Sequence, residues 1–177
     1  LTDKAFHLSN RRGPSRAKNV GLQNAEGDFI VTLDNDVFVP PGWLTTLVEE
    51  SEKPGVGIVA AVPSNEKDRL RKRPSPDGLI DFQHVGGSCM GITRQCLNAV
   101  GFFDESMEEN EDTDLCYRAL MAGFRVTSTP RLIVPHLSGG TRRDLDKRAM
   151  ERSARKFREK YIQYQNVLPM PPLYPFA

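Results

Sequence analysis

Phe29-Ile30-Val31-Thr32-Leu33-Asp34-Asn35-Asp36 is the stretch on which the reading of this chain turns. Its first five residues are apolar or β-branched, the composition of a short buried strand. The two carboxylates that follow, one residue apart, then stand at that strand's carboxyl end, where ligands bind in an open α/β sheet. Two hard oxygen donors there suit Mg²⁺ or Mn²⁺ holding a diphosphate, because such cations take few protein ligands and share the rest with phosphate and water. Acidic turns are common, so the surrounding sequence has to decide whether this one binds a metal.

Upstream, Ala5–Leu8 reads as a short strand closed by the polar stretch Ser9–Pro14. Ser15–Ala25 follows as a helix, with Ser15 as its N-cap, Ala17, Val20 and Leu22 facing inward, and Gly27 ending the segment. Downstream, Val37–Pro41 forms a turn, and Pro41-Gly42-Trp43-Leu44 leads into a helix reaching about Lys53. Gly57–Val62 is a buried strand, and Ser64–Asp77, charged and almost devoid of apolar residues, a mobile loop. Val85–Thr93 is Gly-rich and β-like, and Gln95–Val100 a short helix. Glu111–Ala122 is a helix capped by Gly123, and Arg125–Ser128 and Leu132–Val134 are strands flanking Pro130. A last helix, about Arg143–Gln163, carries the stripe Met150, Ala154, Phe157 and Tyr161 before a Pro-rich tail from Pro169. Strands alternating with helices predict an α/β domain.

The chain has 177 residues, enough for one ordinary domain with a real core. Its 24 Lys and Arg against 23 Asp and Glu leave a formal charge of +1, which argues against a protein that coats nucleic acid. The basic residues cluster nonetheless, at Arg11, Arg12, Arg16 and Lys18 and again from Arg142 to Lys160. Such clusters serve a phosphorylated ligand or an anionic membrane surface, or are solvated faces. Cys89, Cys96 and Cys116 form no Cys-x-x-Cys and cannot all pair, so buried free thiols in a reducing, cytoplasmic setting are expected. No apolar run approaches the roughly 18–20 residues of a membrane span, and no signal-peptide pattern is present. The chain opens on Leu1 rather than Met, so its start is expected to lie inside a longer protein.

Further segments bear on chemistry. Arg16, Lys18 and Asn19 stand at the mouth of a helix, either an anion site or a solvated basic turn. In Val85-Gly86-Gly87-Ser88-Cys89-Met90 the glycines permit close approach of backbone to a ligand, or mark a bulge. Glu108 to Asp114 opens a helix on acidic residues, which stabilise its N-terminus and also offer a general base for an acceptor hydroxyl. His136, just past a strand, is either structural or a metal ligand.

Taken in order, these segments resemble the family 2 glycosyltransferases of the GT-A fold. Gly13-Pro14-Ser15-Arg16-Ala17-Lys18-Asn19-Val20-Gly21-Leu22, leading to Leu33-Asp34-Asn35-Asp36, looks like that family's approach to its Asp-x-Asp. Gly86–Arg94 followed by Val100–Glu105 is similar to its acceptor-side segment. Glu111-Asp112-Thr113-Asp114-Leu115-Cys116-Tyr117-Arg118 looks like its Glu-Asp helix, and Val134-Pro135-His136 like its strand end with a frequent histidine. The resemblance covers roughly residues 5 to 140. It implies a partial GT-A (Rossmann-like) mixed sheet flanked by helices over residues 1–140, with a C-terminal helix and Pro-rich tail over 141–177.

The resemblance further implies transfer of a sugar from a nucleotide diphosphosugar to the hydroxyl of a carbohydrate or lipid-linked acceptor. Asp36, with Asp34 and His136, would hold Mn²⁺ or Mg²⁺; Asp34 would alternatively contact the ribose. Arg16, Lys18, Asn19, Asp34 and Gly87 would face the donor nucleotide. Asp112 would take the acceptor's proton, with Glu111 beside it. Retaining polypeptide GalNAc-transferases of this fold carry Trp-Gly-Gly-Glu-Asn at this point; Glu-Asn-Glu-Asp here implies inversion. Lys18 replaces a frequent Arg, keeping the charge and losing a fork of donors. The family's opening strand–helix–strand–helix, roughly 60–80 residues, has no counterpart upstream of Ala5. The alternative is therefore a non-catalytic nucleotide-sugar and metal-binding module, or an inactive fragment of the same fold. A membrane surface remains a candidate partner for the cationic C-terminal helix, as does a second copy of the chain.

Overall fold

Val56–Pro63 is buried at every one of its positions and forms the central strand, β2, of the computed structural model, which describes residues 4–9, 13–107, 109–137 and 147–166. The unbroken apolar run fits a strand covered on both faces. Around it lie β1 (Phe29–Leu33), β3 (Ile80–Asp81), β4 (Cys89–Thr93) and β5 (Arg125–Val134), in the order β1-β4-β2-β5-β3. β4 is antiparallel to both β1 and β2, β5 is parallel to β2, and β3 closes the far edge antiparallel to β5. The helices are α1 (Gly13–Asn24), α2 (Trp43–Ser51), α3 (Arg94–Val100), α4 (Glu111–Met121) and α5 (Lys147–Tyr161).

Alternation along β2 divides the core. Ile58 and Ala60 join Leu22, Ile92, Leu97, Leu115 and Ala119 from α1, β4, α3 and α4, whereas Val59 and Ala61 join Leu47 of α2 with Leu132 and Val134 of β5. The sheet is thus sandwiched between helices, as the mixed GT-A sheet requires. The three cysteines are free and buried, and burial pushes the Cys89 thiol up to about 11 and that of Cys96 to about 12. Among the described residues no helix is long and apolar enough to cross a membrane.

Several local expectations differ from the structure. Ala5–Leu8 is not a strand: these residues are exposed and have no strand partner among the described residues. The segment following β2 is no irregular loop at its start but a kinked 3₁₀ helix over Ser64–Arg71. The two strands expected around Pro130 are one, β5. Its register against β2 jumps from Ala60↔Ser128 to Val62↔Ile133, and Pro130 falls inside the excursion, where the missing N–H costs the ladder nothing. The β-like reading of Val85–Thr93 holds only from Cys89. In α1, Ser15 lies inside the helix rather than capping it, Ala17 is exposed, and the buried positions are Ser15, Asn19 and Leu22. Residues 10–12, Glu108, the expected helix start at Arg143 and the Pro-rich tail lie outside the described residues.

α5 packs on α4. Phe157 meets Tyr117 edge to face and Tyr161 meets it at a tilt, with ring centroids 5.1 Å apart in each case, and Ala154 and Met107 complete this third cluster. Asp114, fully buried, accepts from Arg118 at 2.8 Å and from Lys160 and Tyr161 at 2.7 Å each. Of the expected stripe, Ala154, Phe157 and Tyr161 are buried inside the molecule, and Met150 is half-buried.

Candidate active site

Asp34 leaves β1 with its N–H donating to Ser88 O at 2.8 Å, and Val37 N–H returns to Asp34 O at 3.3 Å, closing a turn around Asn35-Asp36. The chain beyond that turn zips onto the end of β5: Phe38 N–H donates to Pro135 O and Leu137 N–H to Asp36 O, both at 3.0 Å, around a Val37↔His136 bridge. These backbone bonds carry His136 to Asp36, Nε2 to Oδ1 3.3 Å. One donor atom each of Asp34, Asp36 and His136 then lies within 4.8 Å of the others. Donors around a six-coordinate ion with bonds of about 2.1 Å stand roughly 3–4 Å apart, a spacing close to that of this trio. Two carboxylates with one imidazole fit Mn²⁺, and the carboxylates fit Mg²⁺.

Facing this trio is the start of α4. Gly87 N–H donates to Asp112 Oδ2 at 2.9 Å, while Thr113 N–H donates to Oδ1 at 2.7 Å, so the Asp112 carboxylate is held from both sides. Lys18 Nζ reaches Glu111 Oε1 at 3.1 Å. A Cβ on Gly87 would fall 2.9 Å from Lys18 Nζ and 3.4 Å from Asp112 Cβ, so a side chain there would displace the lysine's end. Burial, with the Asp112 charge adding to it, pushes the Glu111 carboxyl up to about 7 against the pull of Lys18. Burial likewise raises Asp34, with Lys18 opposing and Asp36 reinforcing the rise. For Lys18 burial alone acts downward, but Glu111, Asp34 and Asp112 outweigh it and hold the ammonium charged.

The structure therefore brings Lys18, Asp34, Asp36, Gly87, Glu111, Asp112 and His136 to one place. Arg16 turns elsewhere, 4.0 Å from Glu105. Asn19 is buried outside this group: its amide donates to Phe103 O at 2.9 Å and to the Glu105 carboxylate at 3.0 Å, and its oxygen accepts from Phe103 N–H at 2.9 Å. With Ser15 Oγ donating to Met107 O, it fastens α1 to the segment entering α4.

Three features escaped the sequence reading. Asn110, with φ of 64°, is the one left-handed non-glycine among the described residues, and its buried Nδ2 has no hydrogen-bond partner. Thr32 Oγ1, inside β1, donates to Gly87 O at 3.1 Å and ties the Asp-x-Asp strand to the glycine pair. Asp114 gathers its cationic partners from two helices. Only the Asp114–Arg118 pair, four residues apart, carried a signal in the sequence.

A mixed sheet whose Asp-x-Asp turn faces an acidic helix start across a glycine pair defines a GT-A-type domain. The glycosyl transferase family 2 profile matches residues 4–95, and the chain belongs to that family. It is 30% identical over 151 residues to the pre-mycofactocin glycosyltransferase of Mycobacterium tuberculosis, covering 75% of this chain and 32% of that protein. The chain thus spans about a third of that relative's length. In fold it is similar to a Pyrobaculum calidifontis mannosyltransferase solved with GDP-Man and Mn²⁺, with a TM-score of 0.65 at 19% identity over 94% of this chain and 47% of the other. S. aureus TarS, solved with UDP-GlcNAc, gives a TM-score of 0.65 at 16% identity over 95% and 51%.

Proposed function

We propose that this chain carries the metal and acceptor side of an inverting, metal-dependent glycosyltransferase that moves a sugar from a nucleotide diphosphosugar to an acceptor hydroxyl. The observation that carries the reading is the convergence of Asp34, Asp36 and His136 with Asp112 across Gly87. Asp36, Asp34 and His136 would hold Mn²⁺ or Mg²⁺, which when bound supplies Lewis-acid neutralisation of the departing diphosphate.

The remaining steps fall to the chain's own groups. Asp112, oriented by the Gly87 and Thr113 amides, accepts the acceptor's proton as its oxygen attacks the anomeric carbon and the bond to the diphosphate breaks. Direct attack inverts that carbon. Lys18 and the Gly87 backbone face the donor side. Asn19 supports from beneath by fixing the loop into α4. Mannosyl and N-acetylglucosaminyl nucleotides, the donors in the similar structures, head the panel to be tried.

The test is calorimetry with Mn²⁺ and a panel of nucleotide sugars, paired with assays of donor hydrolysis and transfer. Asp36→Asn should abolish metal-dependent nucleotide binding. Asp112→Asn should keep binding and lose turnover; full activity in that variant would remove Asp112 from its role. Nucleotide-sugar binding without turnover, in this chain and in a longer polypeptide alike, would favour a non-catalytic binding module.

A further inference from the structure

We infer that α5 is the positioning element for the base: Ser153, Lys156 and Lys160, on one of its faces, grip the segment from Asp104 to Asp114 and thereby fix Asp112 against Gly87. The inference rests on the reading of Asp112 as the group that takes the acceptor's proton. It adds to that reaction three residues that touch no substrate.

The three stand three and four positions apart, so they share one face of α5, beside the buried Ala154, Phe157 and Tyr161. Each holds a different point of the same segment. Ser153 Oγ accepts from Glu109 N–H at 3.2 Å, and Lys156 Nζ donates to Ser106 O at 2.6 Å. Lys160 Nζ donates to Asp104 Oδ2 at 3.0 Å and to Asp114 Oδ1 at 2.7 Å. One ammonium therefore staples the two ends of the segment together across the stretch that carries Glu111 and Asp112. α1 adds Ser15 on Met107 and Asn19 on Phe103, the residue before the staple.

Within the gripped stretch Asn110 has a φ of 64° and a buried amide without a hydrogen-bond partner. A conformation of that cost persists where its surroundings over-determine it. Here they do so through the bond on Glu109, one residue before, and the bonds on Asp114, four residues after, whose own N–H donates to Asn110 O at 2.9 Å. Asn110 caps the start of α4, and from that first turn Asp112 accepts from Gly87 N–H and Thr113 N–H. Gly87 lies outside α4, so its bond reports where Asp112 stands and not only whether the helix is intact. Removing the Lys160 ammonium leaves Asp114 its bonds from Arg118 and Tyr161, so the staple is lost while the buried charge stays paired.

The experiment is amide hydrogen exchange followed by NMR on the full chain without substrate, for wild type, Lys160→Met, Lys160→Arg and Arg155→Met. The amide of Val59 in the central strand serves as the measure of global opening. Relative to it, the Gly87 and Thr113 amides should exchange about five- to tenfold faster in Lys160→Met, the effect of losing a hydrogen bond between charged groups. Lys160→Arg should keep the wild-type ratio, because a guanidinium fork can bridge both carboxylates. Arg155→Met removes the same charge from the exposed face of α5 and should leave the ratio unchanged. If Lys160→Met melts too early to measure, Lys156→Met takes its place, with a smaller shift of the same sign. In the transfer assay Lys160→Met should lower kcat about tenfold and keep Mn²⁺-dependent nucleotide affinity within about twofold, since Asp34, Asp36 and His136 lie outside the gripped segment. An equal change at Val59, Gly87 and Thr113 would make Lys160 a residue of stability alone and overturn the inference, as would an equal shift in Arg155→Met. Full turnover in Asp112→Asn would overturn the reading on which the inference rests, whatever the exchange ratio.

Discussion

Glu111 is the residue whose environment predicts most about behaviour in solution. Its carboxyl is pushed up to about 7 by burial, against a value near 4.5 for the group in an unfolded chain. The folded protein then holds a proton that the unfolded chain has released, so this group lowers stability as pH rises through that interval. Thermal midpoints should fall between about pH 4.5 and 7. Glu111→Gln, permanently neutral, should flatten that slope and gain most relative to wild type above pH 7. A slope unchanged in the variant would place the titration elsewhere. Asn110, one residue earlier, is a second point of stored cost. It takes a left-handed conformation and buries an unpartnered amide donor. Asn110→Gly should unfold in urea within about 1 kcal/mol of wild type or above it, since glycine reaches that conformation freely and brings no orphan donor. Asn110→Val should cost about 2 kcal/mol or more.

Among the elements, α1 shows where sequence reasoning stops. Apolar periodicity put Ala17 and Val20 inward, yet the helix buries Ser15 and Asn19, because the segment Phe103–Met107 offers backbone groups that those side chains pair. A polar residue is buried when its partner is present, and a partner eighty residues away leaves no local mark. The Asp-x-Asp strand, by contrast, was legible because a five-residue β-rich run ending in carboxylates has one sensible placement in an open sheet. His136 reached the same site through backbone pairing of its neighbours, which no side-chain pattern announces. α4 and α5 meet through Asp114, and Tyr161 Oη donates to it inside an aromatic cluster. Tyr161→Phe should cost about 1–3 kcal/mol, the value of a hydrogen bond to a buried charge that keeps its other partners. Phe157→Ala should cost about 3–5 kcal/mol by emptying the centre of that cluster. Urea unfolding followed by circular dichroism measures both.

At the scale of the molecule, the alternation of strands and helices was enough for an α/β domain. The mixed sheet and the boundary between residues 1–140 and the helix beyond came from the family resemblance rather than from packing. Packing argues against cutting there. Met107 and Tyr117 are covered by Ala154, Phe157 and Tyr161, the buried charge of Asp114 is matched in part by Lys160, and Lys156 and Ser153 bond the segment that leads into α4. Ending the chain at Gly140 would expose the aromatic face of Tyr117 and leave Asp114 with Arg118 as its one remaining ion-pair partner among the described residues. The shortened chain should lose its single cooperative melt or shift it down by ten degrees or more, as a loss of roughly 3–5 kcal/mol implies for a domain of this size. The same packing bears on membranes. With Ala154, Phe157 and Tyr161 already buried, α5 offers a bilayer chiefly its charged outer face, and attraction of that kind is screened by salt. In co-sedimentation with vesicles rich in anionic lipid, any binding through α5 should disappear by about 0.5 M NaCl. Binding that survives such salt would point to apolar insertion, for which Met121 and Ile162 are exposed beside the two helices.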